Sequence, residues 1–217
     1  MNPTAIARRV AYGYAKSGAK LGLPHALHRP TAPLARAIAP DTLVRQVAFV
    51  ASATADAAFK RPLKLGDVDA FGLLDADVAR PGDYLVGPEG TWFVGAAEAL
   101  AVPKVVRCDA VAHVTRTRRL AGGLAEDRYA GRTAATDVAV LSGWPVAQKF
   151  GGNSVSSEAN LPGELSVAGR ELRVPAVAGV LFRTGDRVTL EGADTLVVTG
   201  AILGLDGWVL RAALAEA

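Results

Sequence analysis

Apolar residues recur at helical spacing near the start of the chain. The residues that fall near one helical face, at spacings of four, four and seven, are Ile6, Val10, Tyr14 and Leu21. Asn2 can cap this helix, Pro3 suits its first position, and Gly22 favours its end. Four basic residues lie off the apolar stripe: Arg8, Arg9, Lys16 and Lys20. The pattern therefore predicts a basic amphipathic helix over residues 1–22.

A proline-rich stretch follows, and its pattern is not that of a regular element. Its prolines are Pro24, Pro30, Pro33, Pro40 and Pro62. Proline fixes its own φ and pushes the preceding residue toward extended geometry. Residues 43–49 fit either a short strand or a helical turn. We therefore predict an extended Pro/Ala-rich arm over 23–62 that straps onto a neighbouring surface.

The rest of the chain has short β-type runs separated by turn residues. Residues 80–83 and 87–90 are turn signals, and each is followed by an apolar run, at 84–86 and 91–94 respectively. A third predicted strand covers residues 105–114. We predict a first β-domain over 63–116, a linker over 117–136 and a second β-domain over 137–217. The predicted fold is mainly β with an N-terminal helix and two small antiparallel β-barrel or β-sandwich units.

One segment of the first β-domain is echoed in the second. Residues 80–86, RPGDYLV, are matched by residues 183–189, RTGDRVT. Each is followed by a short glycine-containing turn, an apolar strand and a last strand. The echo indicates either an internal duplication or the independent use of a common hairpin.

Composition excludes several classes of protein. The chain has 217 residues, of which 50% are hydrophobic and one is cysteine, so neither a disordered chain nor a disulfide scaffold fits. Uncharged stretches reach eleven residues, as at 138–148, whereas a membrane helix needs about 20. The basic N-terminal helix is unlike a signal peptide. We expect a chain that is intracellular, or that leaves the cell by a route other than a cleaved signal, and that has no membrane partner.

Charge is unevenly distributed. Residues 1–40 hold six Lys and Arg and no Asp or Glu, which leaves 18 of the 24 basic residues against all 21 acidic ones in the rest. A basic N-terminal segment is typical of proteins that bind nucleic acid, a membrane surface or an acidic protein. Six charges over forty residues is dilute for nucleic acid, so we favour a protein partner.

Candidate catalytic and metal-binding residues do not assemble into a site. His25 and His28 lie three apart in a segment predicted to be extended, and we expect them to touch a partner. The aspartates Asp67, Asp69, Asp75 and Asp77 lack the spacing of a calcium loop and are typical of turns. Cys108 is interpreted as a buried structural thiol, and Trp92, Trp144 and Trp208 as core or interface anchors. We predict no catalytic residue, metal or cofactor.

Several segments resemble a family of tailed-phage and prophage proteins found among head and tail structural genes. They are residues 6–16 and 21–24 near the N-terminus, 28–31, the GDYLV run at 82–86, GTWFV at 90–94 and VRCD at 106–109. The resemblance spans most of the chain, and its motifs are structural. It implies a virion protein of the neck or head–tail junction, a connector, collar or adaptor assembled as a ring in the host cytoplasm.

The same resemblance implies portal, adaptor or tail proteins as partners. The helix and arm would then dock through Ile6, Arg8, Arg9, Val10, Tyr14, Lys16, Lys20, Leu21, His28 and Arg29. A tail-completion or baseplate position is an alternative. Two further alternatives are a nucleic-acid-binding module that uses the arm with Arg116, Arg118 and Arg119, and a hydrolase that uses the 67–77 aspartates.

Overall fold

The computed structural model describes residues 2–55, 67–117, 137–150, 169–192 and 195–214. The predicted N-terminal helix is confirmed as α1, Pro3–Leu21. The side chain of Asn2 accepts a hydrogen bond from the Thr4 amide at 3.0 Å, as expected of an N-cap. At the other end the Gly22 amide donates to the Gly18 carbonyl at 2.7 Å, which closes the last turn.

Two closed six-stranded antiparallel barrels follow the helix. The first comprises β1 (Leu23–His28), β2 (Leu43–Ser52), β3 (Asp69–Leu73), β4 (Tyr84–Gly87), β5 (Gly90–Ala96) and β6 (Lys104–Cys108). The second comprises β7 (Ala110–Thr117), β8 (Asp137–Phe150), β9 (Arg170–Val174), β10 (Arg187–Leu190), β11 (Thr195–Gly204) and β12 (Gly207–Leu214). The predicted fold class is confirmed, and both units are barrels rather than sandwiches.

The two barrels have the same topology. Around the first, the strands run β1-β2-β3-β6-β5-β4, and β4 pairs with β1 to close it. Around the second they run β7-β8-β9-β12-β11-β10, and β10 pairs with β7. Each strand of the first barrel thus has its counterpart six strands later in the chain.

The predicted domain boundaries were wrong at the arm and at the first β-domain. Residues 23–55 do not run as an arm, because they supply β1 and β2 of the first barrel, and the remainder of the predicted arm lies outside the described residues. The run predicted as one strand over 105–114 is two strands, β6 and β7, that belong to different barrels. Cys108 pairs with Thr91 of β5, whereas Ala110 pairs with Val146 of β8, so the chain passes from the first barrel to the second at Asp109. The predicted linker, apart from residue 117 at the end of β7, lies outside the described residues.

A short irregular segment between β1 and β2, residues 29–39, crosses to the second barrel, and we call it the strap. The Pro33 carbonyl accepts from the Ser142 amide, and the Ala35 carbonyl accepts from Trp144 Nε1, each at 3.1 Å. Ala37 is fully buried in the core of the second barrel. The proline-rich segment does reach a neighbour, and that neighbour is the second barrel of the same chain.

The barrels also meet directly. The outer face of β4 and β5 presents Tyr84 and Phe93 to the second barrel, where both side chains are fully buried. The Tyr84 hydroxyl donates to the Pro145 carbonyl at 2.7 Å, and its ring meets that of Trp144 edge-on with centroids 6.0 Å apart. A buried hydroxyl with its acceptor fixes the geometry of an otherwise apolar contact.

Two ion pairs lie at the edge of this contact. Lys104 Nζ is 3.1 Å from Asp206 of the β11–β12 turn, and Arg173 Nη2 is 3.2 Å from Asp69. Both pairs are partly exposed, so each contributes little to stability and mainly favours one register between the barrels.

Candidate functional site

A buried carboxylate holds the β4 turn of the first barrel. Arg29, which follows β1, donates to both oxygens of Asp83, from Nε at 2.8 Å and from Nη2 at 2.7 Å. The same Nη2 donates to the Val78 carbonyl at 2.8 Å, and the Arg80 amide donates to Asp83 at 2.9 Å. The Asp83 side chain is 2% exposed, whereas that of Arg29 is 32% exposed, so the carboxylate is the enclosed part of the network. We call it the first latch.

The second barrel contains the same network, the second latch. Arg116 donates to Asp186 from Nε at 2.7 Å and from Nη2 at 2.8 Å, and its Nη2 also reaches the Leu181 carbonyl at 2.6 Å. The Arg183 amide donates to Asp186 at 2.8 Å. In both latches the hydrogen bond to aspartate is the main factor that raises the pKa of the arginine, which favours the charged guanidinium.

The backbone turns of the two latches also have the same conformation. Gly82 and Gly185 have φ of +91° and +90°, a conformation that glycine adopts without strain. Shared topology, a shared latch and a shared turn favour internal duplication over independent use of a hairpin. The RPGD and RTGD segments are the part of this likeness that the sequence showed. The pairing of Arg29 and Arg116 with the two aspartates was not predicted.

Helix α1 lies across β2 and β3 of the first barrel. Its closest approach is at Gly18, where an added Cβ would lie 2.8 Å from the Leu73 carbonyl oxygen. Ala11 and Gly18 are its buried residues, so small side chains form the packing face. The apolar stripe that the sequence suggested is therefore displaced from the true contact, because only small residues allow the helix so close.

The outer face of α1 is basic. The exposed residues at helical spacing there are Arg9, Tyr12, Lys16 and Lys20, with Arg8 beside them. None of these basic residues forms an ion pair with another described residue. The helix thus presents a positive surface that no described residue neutralises through an ion pair.

The other predicted partner-binding residues are less accessible. Ile6, Val10 and Tyr14 are half-buried, and the Tyr14 hydroxyl lies 3.5 Å from the Leu100 carbonyl. Leu21 is 45% exposed. A groove of about 310 Å³ runs between this side of α1 and the loop that contains Leu100.

His28 and Arg29 have internal roles, which corrects their prediction as partner contacts. His28 is buried and its Nδ1 lies 3.0 Å from the Thr42 hydroxyl. Arg29 belongs to the first latch. His25 is inside the first barrel, with its Nδ1 3.0 Å from the Leu23 carbonyl. Because side chains alternate along β1, His28 lies on the opposite, outer side of the strand beside its pair Tyr84, and it is buried there.

The aspartates singled out in the sequence are dispersed. Asp75 pairs with Arg45, and Asp69 pairs with Arg173 across the barrel contact. Within the described residues no three His, Cys, Asp or Glu side chains are grouped to hold a metal. Burial, with a smaller contribution from the Asp109 charge, raises the pKa of the Cys108 thiol, so this cysteine stays protonated.

The three tryptophans are core residues, as predicted. Trp92 is 3% exposed within the first barrel, and Trp144 is 3% exposed beneath the strap. Trp208 packs edge-on against Phe182 with centroids 5.3 Å apart. Arg116 is held by the second latch, whereas Arg118 and Arg119 lie outside the described residues.

An exposed apolar tip was missed. Ile202, Leu203 and Leu205 at the end of the β11–β12 hairpin are 61%, 54% and 82% exposed. The signal was present as the uncharged run AILGL at 201–205. Adjacent exposed apolar residues are typical of contact surfaces.

Comparison with known proteins gives no family. The chain matches no protein-family model, no curated protein and no solved structure. Among the described residues there is no helix of the length and apolarity needed to cross a membrane.

Proposed function

We propose that this chain is a structural component of a tailed bacteriophage particle, a neck protein of connector, collar or adaptor type that assembles as a ring. Its place is the virion, after assembly in the cytoplasm of the host. The observation that carries the proposal is the basic outer face of α1 on a rigid pair of barrels. It is joined by the resemblance of residues 6–16, 82–86, 90–94 and 106–109 to phage structural proteins.

The geometry supports a binding role for three reasons. The two latches pair an arginine with a buried aspartate through two hydrogen bonds each, and they hold turns of the barrels rather than form an open site. The contact between the barrels and the strap hold both barrels in one orientation. Four basic side chains that form no ion pair with another described residue, Arg8, Arg9, Lys16 and Lys20, lie together on one helix, where they suit an acidic surface of a portal, adaptor or tail protein.

The test is incorporation into particles. Arg9→Glu/Lys16→Glu reverses two charges on the outer face, and Arg36→Glu reverses an exposed charge on the strap as the matched control. Each reversed contact costs on the order of 1 kcal/mol, so the double variant should enter particles roughly thirtyfold less well. The control should enter normally.

Two results would overturn the proposal. One is a purified particle, from the phage or prophage that encodes the chain, without this protein. The other is equal incorporation of the double variant and the control. Cryo-electron microscopy of the particle separates a neck position from the tail-completion and baseplate alternatives. Binding to duplex DNA that falls steeply with salt would favour the nucleic-acid alternative.

A further inference from the structure

We infer that the β2–β3 face of the first barrel is a docking surface for a barrel, that α1 keeps it covered, and that the second barrel of another copy of this chain binds there once α1 is displaced. The inference rests on the equivalence of the two barrels and is independent of the proposed function.

The latch arginines allow the strands of the two barrels to be aligned residue by residue. Pro24 lies five residues before the first latch arginine and pairs with Ala48. Val111 lies five residues before the second latch arginine and pairs with Pro145. Ala48 of β2 is therefore the counterpart of Pro145 of β8.

The neighbouring strand gives the same result. Two residues beyond Ala48, Val50 pairs with Leu73 of β3. Two residues beyond Pro145, Ala147 pairs with Arg173 of β9. We call Ala48, Val50 and Leu73 the receiving face of the first barrel, and Pro145, Ala147 and Arg173 the receiving face of the second.

These equivalent faces have different covers. On the second barrel, Pro145 accepts from Tyr84 and Arg173 pairs with Asp69, so the cover is the first barrel. On the first barrel, an added Cβ at Gly18 would lie 3.2 Å from the Ala48 carbonyl oxygen and 2.8 Å from that of Leu73. Helix α1 thus occupies the place that a preceding barrel would take.

The covered face of the first barrel is apolar. Ala48 and Val50 are half-buried and Leu73 is 6% exposed beneath α1. The second receiving face has a charged residue, Arg173, where the first has Leu73. Removal of α1 would expose a contiguous apolar surface of the kind that drives association.

A second copy offers the equivalent surface of its own second barrel. The first barrel docks on the second through Tyr84 of β4, paired with Phe93 of β5. The counterparts on the second barrel are Arg187 and its pair Val197, both half-exposed. A guanidinium N–H of Arg187 can donate to the Ala48 carbonyl as the Tyr84 hydroxyl donates to Pro145.

While α1 is in place, the same docking is disfavoured. The outer face of α1 carries Arg9, Lys16 and Lys20, and these would oppose Arg187 of an incoming copy. In tandem-repeat proteins a polar terminal element ends the stack of units in a similar way. An open head-to-tail contact of this kind would otherwise propagate into filaments.

The full chain with Gly18→Leu tests the inference. Backbone carbonyls surround the position and cannot move aside as a flexible side chain could, so the helix must lift. Gly13→Leu is the matched control, because an added Cβ at Gly13 meets no atom of the described residues within 4 Å. Sedimentation velocity over a range of concentrations measures association.

We expect Gly18→Leu to show a concentration-dependent mass increase of at least about twofold relative to wild type, and Gly13→Leu to show none. Adding Arg187→Glu to Gly18→Leu should restore the mass of the wild-type species. An unchanged mass for Gly18→Leu overturns the inference. Association that persists with Arg187→Glu overturns the assignment of the second barrel as the occupant.

Discussion

The two barrels have the same latch, but the outer face beside it is aromatic and buried in the first barrel and charged and half-exposed in the second. At the first position after the latch aspartate, the first barrel has Tyr84 and the second has Arg187. Tyr84 is fully buried against the second barrel, whereas Arg187 is half-exposed. The repeated part of the unit is therefore the network that closes a barrel, and the variable part is the surface that decides what the barrel contacts.

The cores differ in the same sense. His25 of β1 is fully buried, in edge contact with Phe49, while its counterpart on β7 is Ala112. The first barrel fills this position with an aromatic ring that Gly87 leaves room for, since an added Cβ there would lie 2.3 Å from the His25 ring. Packing has diverged more freely than the buried charge pair.

Removal of either latch arginine gives the largest expected effect. Arg29→Ala and Arg116→Ala each leave a carboxylate that is 2% or 1% exposed without its partner. We expect a loss of about 3 kcal/mol in the free energy of unfolding for each, measured by urea titration. Arg45→Ala, at an exposed pair, is the control and should cost less than about 1 kcal/mol. Unequal losses from the two latches would break the equivalence.

The latch glycines sharpen the comparison. Gly82→Ala and Gly185→Ala both place a side chain at a φ near +90°, and each should cost about 1–2 kcal/mol. Gly82→Ala should cost more, because its Cβ would lie 3.0 Å from the Ala176 carbonyl oxygen whereas Gly185 faces open space. Thermal unfolding measures both. A larger loss at Gly185 would show that the contact between the barrels does not constrain the first turn.

The contact between the barrels is tested at one atom. Tyr84→Phe leaves the Pro145 carbonyl without its donor, and we expect a loss of about 1–2 kcal/mol. Tyr12→Phe, at a 67% exposed side chain, should change the free energy of unfolding by only a few tenths of a kcal/mol. If chemical denaturation gives the two variants equal stability, the hydroxyl does not hold the barrels together.

The smallest expected change is a gain. Gly13→Ala adds a methyl group to α1 at a point with no atom of the described part of the chain within 4 Å, so it should stabilise the helix by up to about 1 kcal/mol. Hydrogen exchange of the α1 amides measures the effect. Slower exchange is expected in α1, with the second-barrel amides unchanged as the internal reference. Faster exchange would contradict the placement of Gly13 on the open face.

The sequence predicted the elements with strong local signals. Asn2, Pro3 and Gly22 marked the helix, and the Gly-Asp turns marked the starts of β4 and β10. The first strand was missed because Pro24 hides it. The second was left open between a strand and a helical turn, because the first half of β2 is exposed and does not alternate. Pro24 is tolerated in β1 because β4 pairs only with residues 26–28, so no amide is needed on that side.

The candidate site was less predictable than the fold. The basic residues of α1 were identified, but their role depends on which side of the helix meets the barrel. Gly18 determines which side of the helix meets the barrel. In the sequence, nothing distinguishes Gly18, which allows this close approach, from Gly13, which lies on the open side. The latch arginines were hidden because Arg29 and Asp83 are 54 residues apart.

The strap has a consequence for the order in which the chain folds. The first barrel is complete once β6 has been synthesised, but the contact between Ala35 and Trp144 spans 109 residues. Contacts between distant residues form slowly, since a long loop must close first. On the ribosome, the strap and Tyr84 must therefore wait for β8. We expect refolding to show a fast phase for barrel closure and a slower one for docking.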